Sequence, residues 1–219
     1  MKRYACYCMT RNIYHKVVPS LTSLLEHSDA EVFLLTEDDS IGFNASNRIH
    51  IINVSDQTFF PQDGPNYHCK WTYMVLMRTA LSKIFPDFDR ILSLDLDTLV
   101  VDDINPLWDT DLTGCYLAAC PEPQRCAANM MYVNGGVVLW NLEQMRDGMC
   151  DRMIASLNSR KWGFTDQDVI TDLCQGYIRE LQSMYNVCRY TKPAAKVMIK
   201  HFAATPDWYE QLKAKGSIK

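Results

Sequence analysis

Short apolar runs alternate with segments of helical periodicity along this 219-residue chain. Seven apolar runs predict strands: RYACYCMT, EVFLLTE, RIHIINV, RILSL, YLAAC, GGVVLW and KVMIKHF. Four segments between them carry apolar residues at helical spacing: 17–25, 70–85, 142–157 and 165–175. This alternation predicts an α/β fold, with a mostly parallel sheet covered by helices on both faces. No linker of biased composition divides the chain, so we predict one domain over residues 1–219.

Composition and charge argue against several classes of function. The formal net charge is −4, whereas a nucleic-acid partner would require clustered Lys and Arg. The nine cysteines form no C-x-x-C pair and no spacing typical of a structural zinc site, which indicates reduced and mostly buried thiols. The N-terminal residues MKRYACYCMTRN lack the apolar stretch of a signal peptide, and no run approaches the length of a membrane helix. We therefore expect a cytoplasmic protein without a transmembrane segment.

Two carboxylates, Asp95 and Asp97, follow the strand predicted at RILSL. Residues two apart on a continuing strand point the same way and lie about 6.6 Å apart, so these side chains can share a divalent cation. Carboxylate oxygens are preferred ligands of Mg²⁺ and Mn²⁺, and such ions commonly hold substrate phosphates. The carboxyl end of a strand is also where ligands bind in parallel sheets. Alone, the pair is equally compatible with a solvated surface turn.

A phosphatase of the haloacid dehalogenase type uses a related pattern, D-x-D-x-T, in which the first Asp is the nucleophile. In this chain Thr98 follows Asp95 by three positions rather than four, and the strand lies in the middle of the sequence. Both differences argue against such a phosphatase.

The segment FDRILSLDLDTLVVDDINPLWDTDL resembles the central segment of retaining glycosyltransferases of family 8, the group of glycogenin and the bacterial lipooligosaccharide galactosyltransferases. The resemblance covers nearly the whole chain. It implies a Rossmann-like fold of the GT-A type, a nucleotide-sugar donor, and a Mn²⁺ (or Mg²⁺) ion bound through the D-x-D motif. Asp95 and Asp97 are then expected to be metal ligands, and Leu96 between them is expected to adjoin the donor.

Near the C-terminus, HFAATPDW resembles the family motif H-F-x-G-x-x-K-P-W, which implies that His201 is the third metal ligand. Neutral imidazole is a suitable ligand for Mn²⁺. The segment also departs from the motif, because Ala204 replaces the Gly, and Pro206 and Asp207 stand where a diphosphate-binding Lys is expected. Loss of a cation beside a pyrophosphate is expected to weaken donor binding or stabilisation of the leaving group.

Three further segments are similar to family motifs: MTRNIYHKVVPSLTSL to the first strand and helix, YVNGGVVLWNL to the Asn-(Ala/Gly)-Gly strand, and TDQDVI to the D-Q-D motif. Arg78 stands 17 residues before Asp95, as does the family's sugar- and phosphate-contacting Arg; a solvated helix Arg is the alternative. A helix N-cap would explain Asp166 equally well. The resemblance implies donor-binding roles for Thr10, Asn12, Tyr14, Arg78, Gly135 and Gly136, and roles at the reacting sugar for Asn134, Asp166 and Gln167.

The resemblance implies transfer of a hexose, glucose or galactose, from a UDP-sugar to an acceptor hydroxyl with retention at the anomeric carbon. Gln167 would lie under that carbon and is a poor nucleophile because it is neutral, which favours front-face attack. Two alternatives stay open: a UDP-sugar-binding protein with weak or no turnover, and a nucleotidyltransferase, whose Gly-rich N-terminal phosphate loop this sequence lacks. The acceptor and the oligomeric state are not predicted, and PEPQRCAANMM (121–131) is placed on the acceptor side by position alone.

Overall fold

The computed structural model describes residues 2–38 and 46–214. Nine strands lie in these residues: β1 (Tyr4–Cys8), β2 (Glu31–Thr36), β3 (Ile49–Asn53), β4 (Arg90–Leu94), β5 (Thr98–Val100), β6 (Leu117–Pro121), β7 (Val133–Asn141), β8 (Ile178–Glu180) and β9 (Ile199–His201). Seven of them form one sheet in the order β3-β2-β1-β4-β7-β6-β8, and β5 pairs with β9 in a separate antiparallel ribbon.

The main sheet is mostly parallel, as predicted. Within the described residues, every neighbouring pair of strands runs parallel except the two pairs that include β7. Strand β7 follows β6 after a short connection that contains no crossover helix, and a connection of this kind suits antiparallel rather than parallel neighbours.

Helices cover the sheet. The described α-helices are α1 (Val17–Glu26), α2 (Leu81–Ile84), α3 (Leu142–Met145), α4 (Met149–Ser159), α5 (Thr165–Leu173) and α6 (Trp208–Ala214). Short 3₁₀ segments lie at Arg11–Lys16, Tyr73–Ala80, Asn105–Asp109, Pro123–Arg125 and Ser183–Tyr185. Pro19 lies in the first turn of α1, where its missing N–H costs no helical hydrogen bond.

Two predicted helices differ from the structure. The segment predicted as one helix over 70–85 is 3₁₀ from Tyr73 to Ala80 and becomes α-helical only in α2. Nearly every side chain of the 3₁₀ segment is buried, including Arg78. The segment is therefore buried on all of its sides, whereas the predicted amphipathic helix would bury only one face. The helix predicted over 142–157 is interrupted at Gly148, whose φ of 107° is compatible with glycine but not with a continuing helix.

The core is divided between the two faces of the sheet. Alternate residues of β1 point to opposite sides: Cys6 joins the cluster under α4 and α5, whereas Ala5 and Tyr7 join the cluster under α1. Both faces are therefore covered, as the predicted layering requires.

The strand order places a ligand crevice between β1 and β4. From β1 the chain moves outward to β2 and β3, and then returns to the other side of β1 to form β4. A reversal of this kind leaves a crevice outside the carboxyl ends of the two central strands, where open α/β sheets bind ligands. The residues after β1 and after β4 therefore face the same crevice.

All nine cysteines are free thiols, and five of them are buried. None of the helices in the described ranges combines the length and the hydrophobicity needed to cross a bilayer.

Candidate active site

Asp95, Asp97 and His201 form a cluster that can hold a metal ion. His201 Nε2 lies 3.2 Å from Asp97 Oδ1 and 3.6 Å from Asp95 Oδ2, and one ligand atom from each residue falls within 4.8 Å of the others. The antiparallel pairing of β5 with β9 sets Thr98 opposite His201 and so brings a late residue beside the D-x-D segment. Two carboxylates and an imidazole are a donor set suited to Mn²⁺.

The D-x-D residues reach this cluster from a turn rather than from a continuing strand. Strand β4 ends at Leu94, and both the backbone N–H and the hydroxyl of Thr98 donate to the carbonyl of Asp95. The predicted strand spacing of the two carboxylates was therefore wrong, although both still point to one side. Leu96, at the centre of the turn, packs partly against the apolar cluster beneath.

His201 is buried, and the two carboxylates and Asn186 direct its ring. Its Nδ1 lies 2.9 Å from Asn186 Oδ1, which leaves Nε2 facing Asp95 and Asp97. Burial opposes a charge on His201, but hydrogen bonds with Asp97 and Cys188 and the two nearby carboxylates raise its pKa to about 10. Without a metal, the proton on His201 therefore supplies the positive charge between the carboxylates, and a metal ligated there would replace it.

Gly136 makes room for His201. A Cβ on Gly136 would lie 2.1 Å from His201 Cε1, so the imidazole occupies the space that any other side chain would fill. Gly135 is different, because a Cβ there would make ordinary contacts of 3.4–3.6 Å with Gln167, Arg78 and Asp166.

Arg78 is buried at the centre of the site, which rules out the solvated helix Arg. Its Nη2 donates to Asp95 Oδ1 at 2.5 Å, its Nη1 donates to the Gly135 carbonyl at 2.6 Å, and its Nε lies 3.5 Å from Asp166 Oδ2. Burial opposes the charge of Arg78, but Asp95 and Asp166 raise its pKa. Burial raises the pKa of Asp166 to about 6, although Arg78 opposes that shift. Arg78 thus joins the D-x-D turn, β7 and the start of α5.

Asp166 does not cap α5. The N-cap position is Phe164, and the Asp166 carboxylate turns toward Arg78 instead. The next residue, Gln167, is held at both ends of its amide: Oε1 accepts from the Gly135 N–H at 2.8 Å, and Nε2 donates to Glu122 Oε1 at 3.3 Å. Asn134 also donates to Glu122 Oε1, at 2.7 Å.

A cleft lies beside the residues that follow β1. It has a volume of about 680 Å³ and is lined by Thr10, Arg11, Asn12, Tyr14, Glu37 and Thr72. The hydroxyl of Thr10 donates to Asn12 Oδ1, and Tyr14 is partly exposed at the rim. The three residues predicted to contact the nucleotide are therefore together, on the crevice edge of the sheet that also carries Asp95.

The segment that departs from the family motif keeps a glycine-like conformation. Ala204 has a φ of 51° and Asp207 a φ of 55°, both in the left-handed region that favours glycine. Lys192, Lys200 and Lys213 are the candidates to replace the missing cation. Lys192 pairs with Glu180, and the Lys200 amine lies 4.9 Å from the Phe202 ring centroid.

Two residues that the sequence did not single out hold the site together. Glu122 is buried and accepts from both Asn134 and Gln167, and Asn186 is buried between Asn134 and His201. Neither side chain carries a local signal of its role, because its partners lie on segments distant in the sequence.

Comparison with known proteins gives a consistent result. The sequence model of glycosyl transferase family 8 matches residues 3–206. The glycosyltransferase GlyE of Streptococcus pneumoniae is 25% identical over 184 residues, covering 78% of this chain and 44% of that protein. A protein of Arabidopsis thaliana described as "Probable galacturonosyltransferase-like 9" is 34% identical over 86 residues, covering 29% of this chain and 22% of that protein. The chain thus spans less than half the length of the curated relatives it matches.

The fold is also shared with solved structures. The galactosyltransferase LgtC, crystallised with donor and acceptor sugar analogues, superposes with a TM-score of 0.73 at 21% identity, covering 99% of this chain and 96% of the LgtC chain. This likeness confirms the predicted GT-A, Rossmann-like fold.

Proposed function

This chain belongs to glycosyl transferase family 8, and on that basis we propose that it transfers a hexose from a UDP-sugar to an acceptor hydroxyl with retention at the anomeric carbon. The observation that carries the proposal is the convergence of Asp95, Asp97 and His201 beside a buried Arg78, on the edge of the sheet that also carries the cleft. This arrangement offers places for a metal, a diphosphate and a nucleoside side by side.

Different residues of the chain would bind different parts of the donor. Asp95, Asp97 and His201 would hold Mn²⁺, and the residues around Thr10 would bind the nucleoside. A bound Mn²⁺ would supply Lewis-acid stabilisation of the charge on the departing diphosphate. Arg78 lies beside the metal ligands with its guanidinium fixed by Asp95 and Gly135, so it is pre-organised for donor phosphate or sugar hydroxyls.

Front-face attack is consistent with the contacts of the carboxylates around Gln167, each of which has a partner within the protein. Asp166 is paired with Arg78, and Glu122 accepts from Asn134 and Gln167. Asp168 accepts from the Tyr132 hydroxyl and from the backbone N–H of Phe164. Each of these three carboxylates has a protein partner, and Gln167 is neutral, which favours front-face attack over a covalent intermediate. The leaving phosphate oxygen would then take the proton of the acceptor hydroxyl.

The acceptor side is proposed at residues 121–131. Within this segment Arg125 lies between two rings, 3.7 Å from the Tyr132 centroid and 4.1 Å from that of Phe164. Phe164 directly precedes the residues around Gln167 and is 44% exposed. Phe164 is thus an exposed ring close to Gln167, the residue proposed to lie under the anomeric carbon. We propose that the acceptor binds on this side of the site.

A second candidate is a UDP-sugar-binding protein with weak or no turnover. It is favoured by the departure at Ala204, Pro206 and Asp207, which removes the diphosphate-binding Lys of the family motif. Binding would then survive through the metal ligands and Arg78, whereas stabilisation of the leaving group would suffer.

Assay of UDP release from a panel of UDP-sugars with Mn²⁺, with NMR of the product anomer, tests the proposal. We expect release from at least one UDP-hexose, by hydrolysis or by transfer to a simple glycoside, and a product of unchanged anomeric configuration. UDP binding without release from any UDP-sugar would favour the binding protein. An inverted product would contradict front-face attack.

A further inference from the structure

We propose that Asn186 is a positioning residue that makes His201 a metal ligand through Nε2. The inference rests on the metal site of the proposed function and concerns how the chain prepares it. Asn186 is completely buried at the end of the 3₁₀ segment Ser183–Tyr185. Its Oδ1 lies 2.9 Å from His201 Nδ1, and its Nδ2 donates to Asn134 Oδ1 at 2.9 Å.

The orientation of these amides is set by groups that can act in only one way. A carboxylate only accepts hydrogen bonds, and a backbone N–H only donates them. Glu122 Oε1 faces one end of the Asn134 amide at 2.7 Å, and the Gly136 N–H faces the other end at 3.1 Å. Asn134 must therefore present its NH₂ to Glu122 and its oxygen to Gly136.

The orientation of Asn134 in turn fixes the orientation of Asn186 and the position of the hydrogen on the His201 imidazole. Because the Asn134 oxygen also faces Asn186, Asn186 presents its NH₂ there and its oxygen to His201. An amide oxygen cannot donate, so Nδ1 of the neutral imidazole carries the hydrogen. The lone pair is then left on Nε2, the atom that faces Asp95 and Asp97. Cys188 also contacts His201, but its sulfur is a weaker acceptor than an amide oxygen.

The other end of this chain of hydrogen bonds reaches Gln167 and the backbone of Gly135. Glu122 Oε1 also accepts from Gln167 Nε2, and Gln167 Oε1 accepts from the Gly135 N–H. One buried carboxylate thus orients both the ring of the metal ligand and the Gln proposed to lie under the anomeric carbon. The metal site and the sugar site share this anchor.

Two variants of Asn186 separate positioning from packing. Asn186→Leu removes the oxygen that faces His201, and we expect Mn²⁺ affinity to fall by about 10- to 100-fold, as for other partners of metal-ligating His. Asn186→Asp keeps an oxygen toward Nδ1, so its Mn²⁺ affinity should stay close to that of the wild type. Its second oxygen would face the Asn134 oxygen, so its thermal stability should fall.

Affinity is measured from the EPR signal of free Mn²⁺, and ligation from the imidazole nitrogen coupling in electron spin-echo spectra. Asn186→Leu should weaken that coupling, and Asn186→Asp should retain it. Asn66→Leu is the matched control, since Asn66 is a buried amide that donates to the carbonyls of Leu157 and Arg160. It should lose stability but not Mn²⁺ affinity.

The positioning role is wrong if Mn²⁺ affinity follows thermal stability across the three variants, or if Asn186→Leu keeps both affinity and coupling. A different result would overturn the metal site of the proposed function. In that result the wild type shows no nitrogen coupling, and His201→Ala binds Mn²⁺ as tightly as the wild type does.

Discussion

Replacing Gly136 with Ala is expected to disrupt the proposed metal site while the sheet stays folded. The new Cβ would lie 2.1, 2.6 and 2.7 Å from Cε1, Nδ1 and Nε2 of His201. The strand cannot yield easily, because the Gly136 carbonyl accepts the Asp95 N–H at 2.8 Å in the middle of β7. The ring must therefore turn away from Asp95 and Asp97. We expect Mn²⁺ affinity to fall by at least about 100-fold, the upper end of the range for a ligand that loses its support.

Gly135→Ala is the matched control for this experiment. Its Cβ would meet Gln167, Arg78 and Asp166 at 3.4–3.6 Å, which are ordinary contact distances. We expect this variant to bind Mn²⁺ like the wild type in the same EPR titration. Circular dichroism should show a folded protein in both cases, with Gly136→Ala destabilised by about 1–3 kcal/mol through overpacking. Equal Mn²⁺ affinities for the two variants would show that His201 does not ligate the ion.

Arg78→Met is expected to cause the largest loss of stability among single changes in the site. The Arg78 and Asp166 side chains are only 6% and 5% exposed, so removal of the guanidinium leaves a buried carboxylate without its countercharge. Breaking one side of a buried ion pair costs about 3–5 kcal/mol. Urea denaturation should therefore show a much lower midpoint for this variant, with a similar slope.

Two further variants show whether the loss comes from the unpaired charge. Arg78→Met combined with Asp166→Asn should be more stable than the sum of the single changes predicts, because the double variant has no buried charge left at Asp166. Lys83 lies on the adjoining helix α2 and forms an exposed ion pair with Asp151 of α4. Lys83→Met breaks this pair and should lower the free energy of unfolding by less than about 1 kcal/mol. A midpoint for Arg78→Met equal to that of Lys83→Met would mean that the Arg78–Asp166 pair does not stabilise the fold.

Local patterns predicted most of the sheet because buried parallel strands are short and uniformly apolar. Strands β2 and β4 coincide closely with the runs EVFLLTE and RILSL, and α1 begins where the helical spacing begins. The failures lie where tertiary contacts override local preference. The segment that carries Arg78 looks like an amphipathic helix, yet it is wound as 3₁₀ because the structure buries nearly all of its side chains.

The site could be predicted only in part, because much of it depends on contacts between distant segments. Asp95 and Asp97 were found from their position after a strand. His201 was connected to them only through the family resemblance, since no local signal predicts the pairing of β5 with β9. Asn186 and Glu122 were missed because a buried amide or carboxylate is defined by its partners, and those partners lie on other elements. The space that Gly136 provides was likewise visible only once His201 was placed against it.

The central claim is tested most directly by titrating the protein with UDP in a calorimeter, once in the presence of Mn²⁺ and once in the presence of EDTA. If Asp95, Asp97 and His201 hold the ion that binds the diphosphate, UDP should bind measurably tighter with Mn²⁺, and Asp97→Asn should remove the difference. The same UDP affinity in Mn²⁺ and in EDTA would contradict the account.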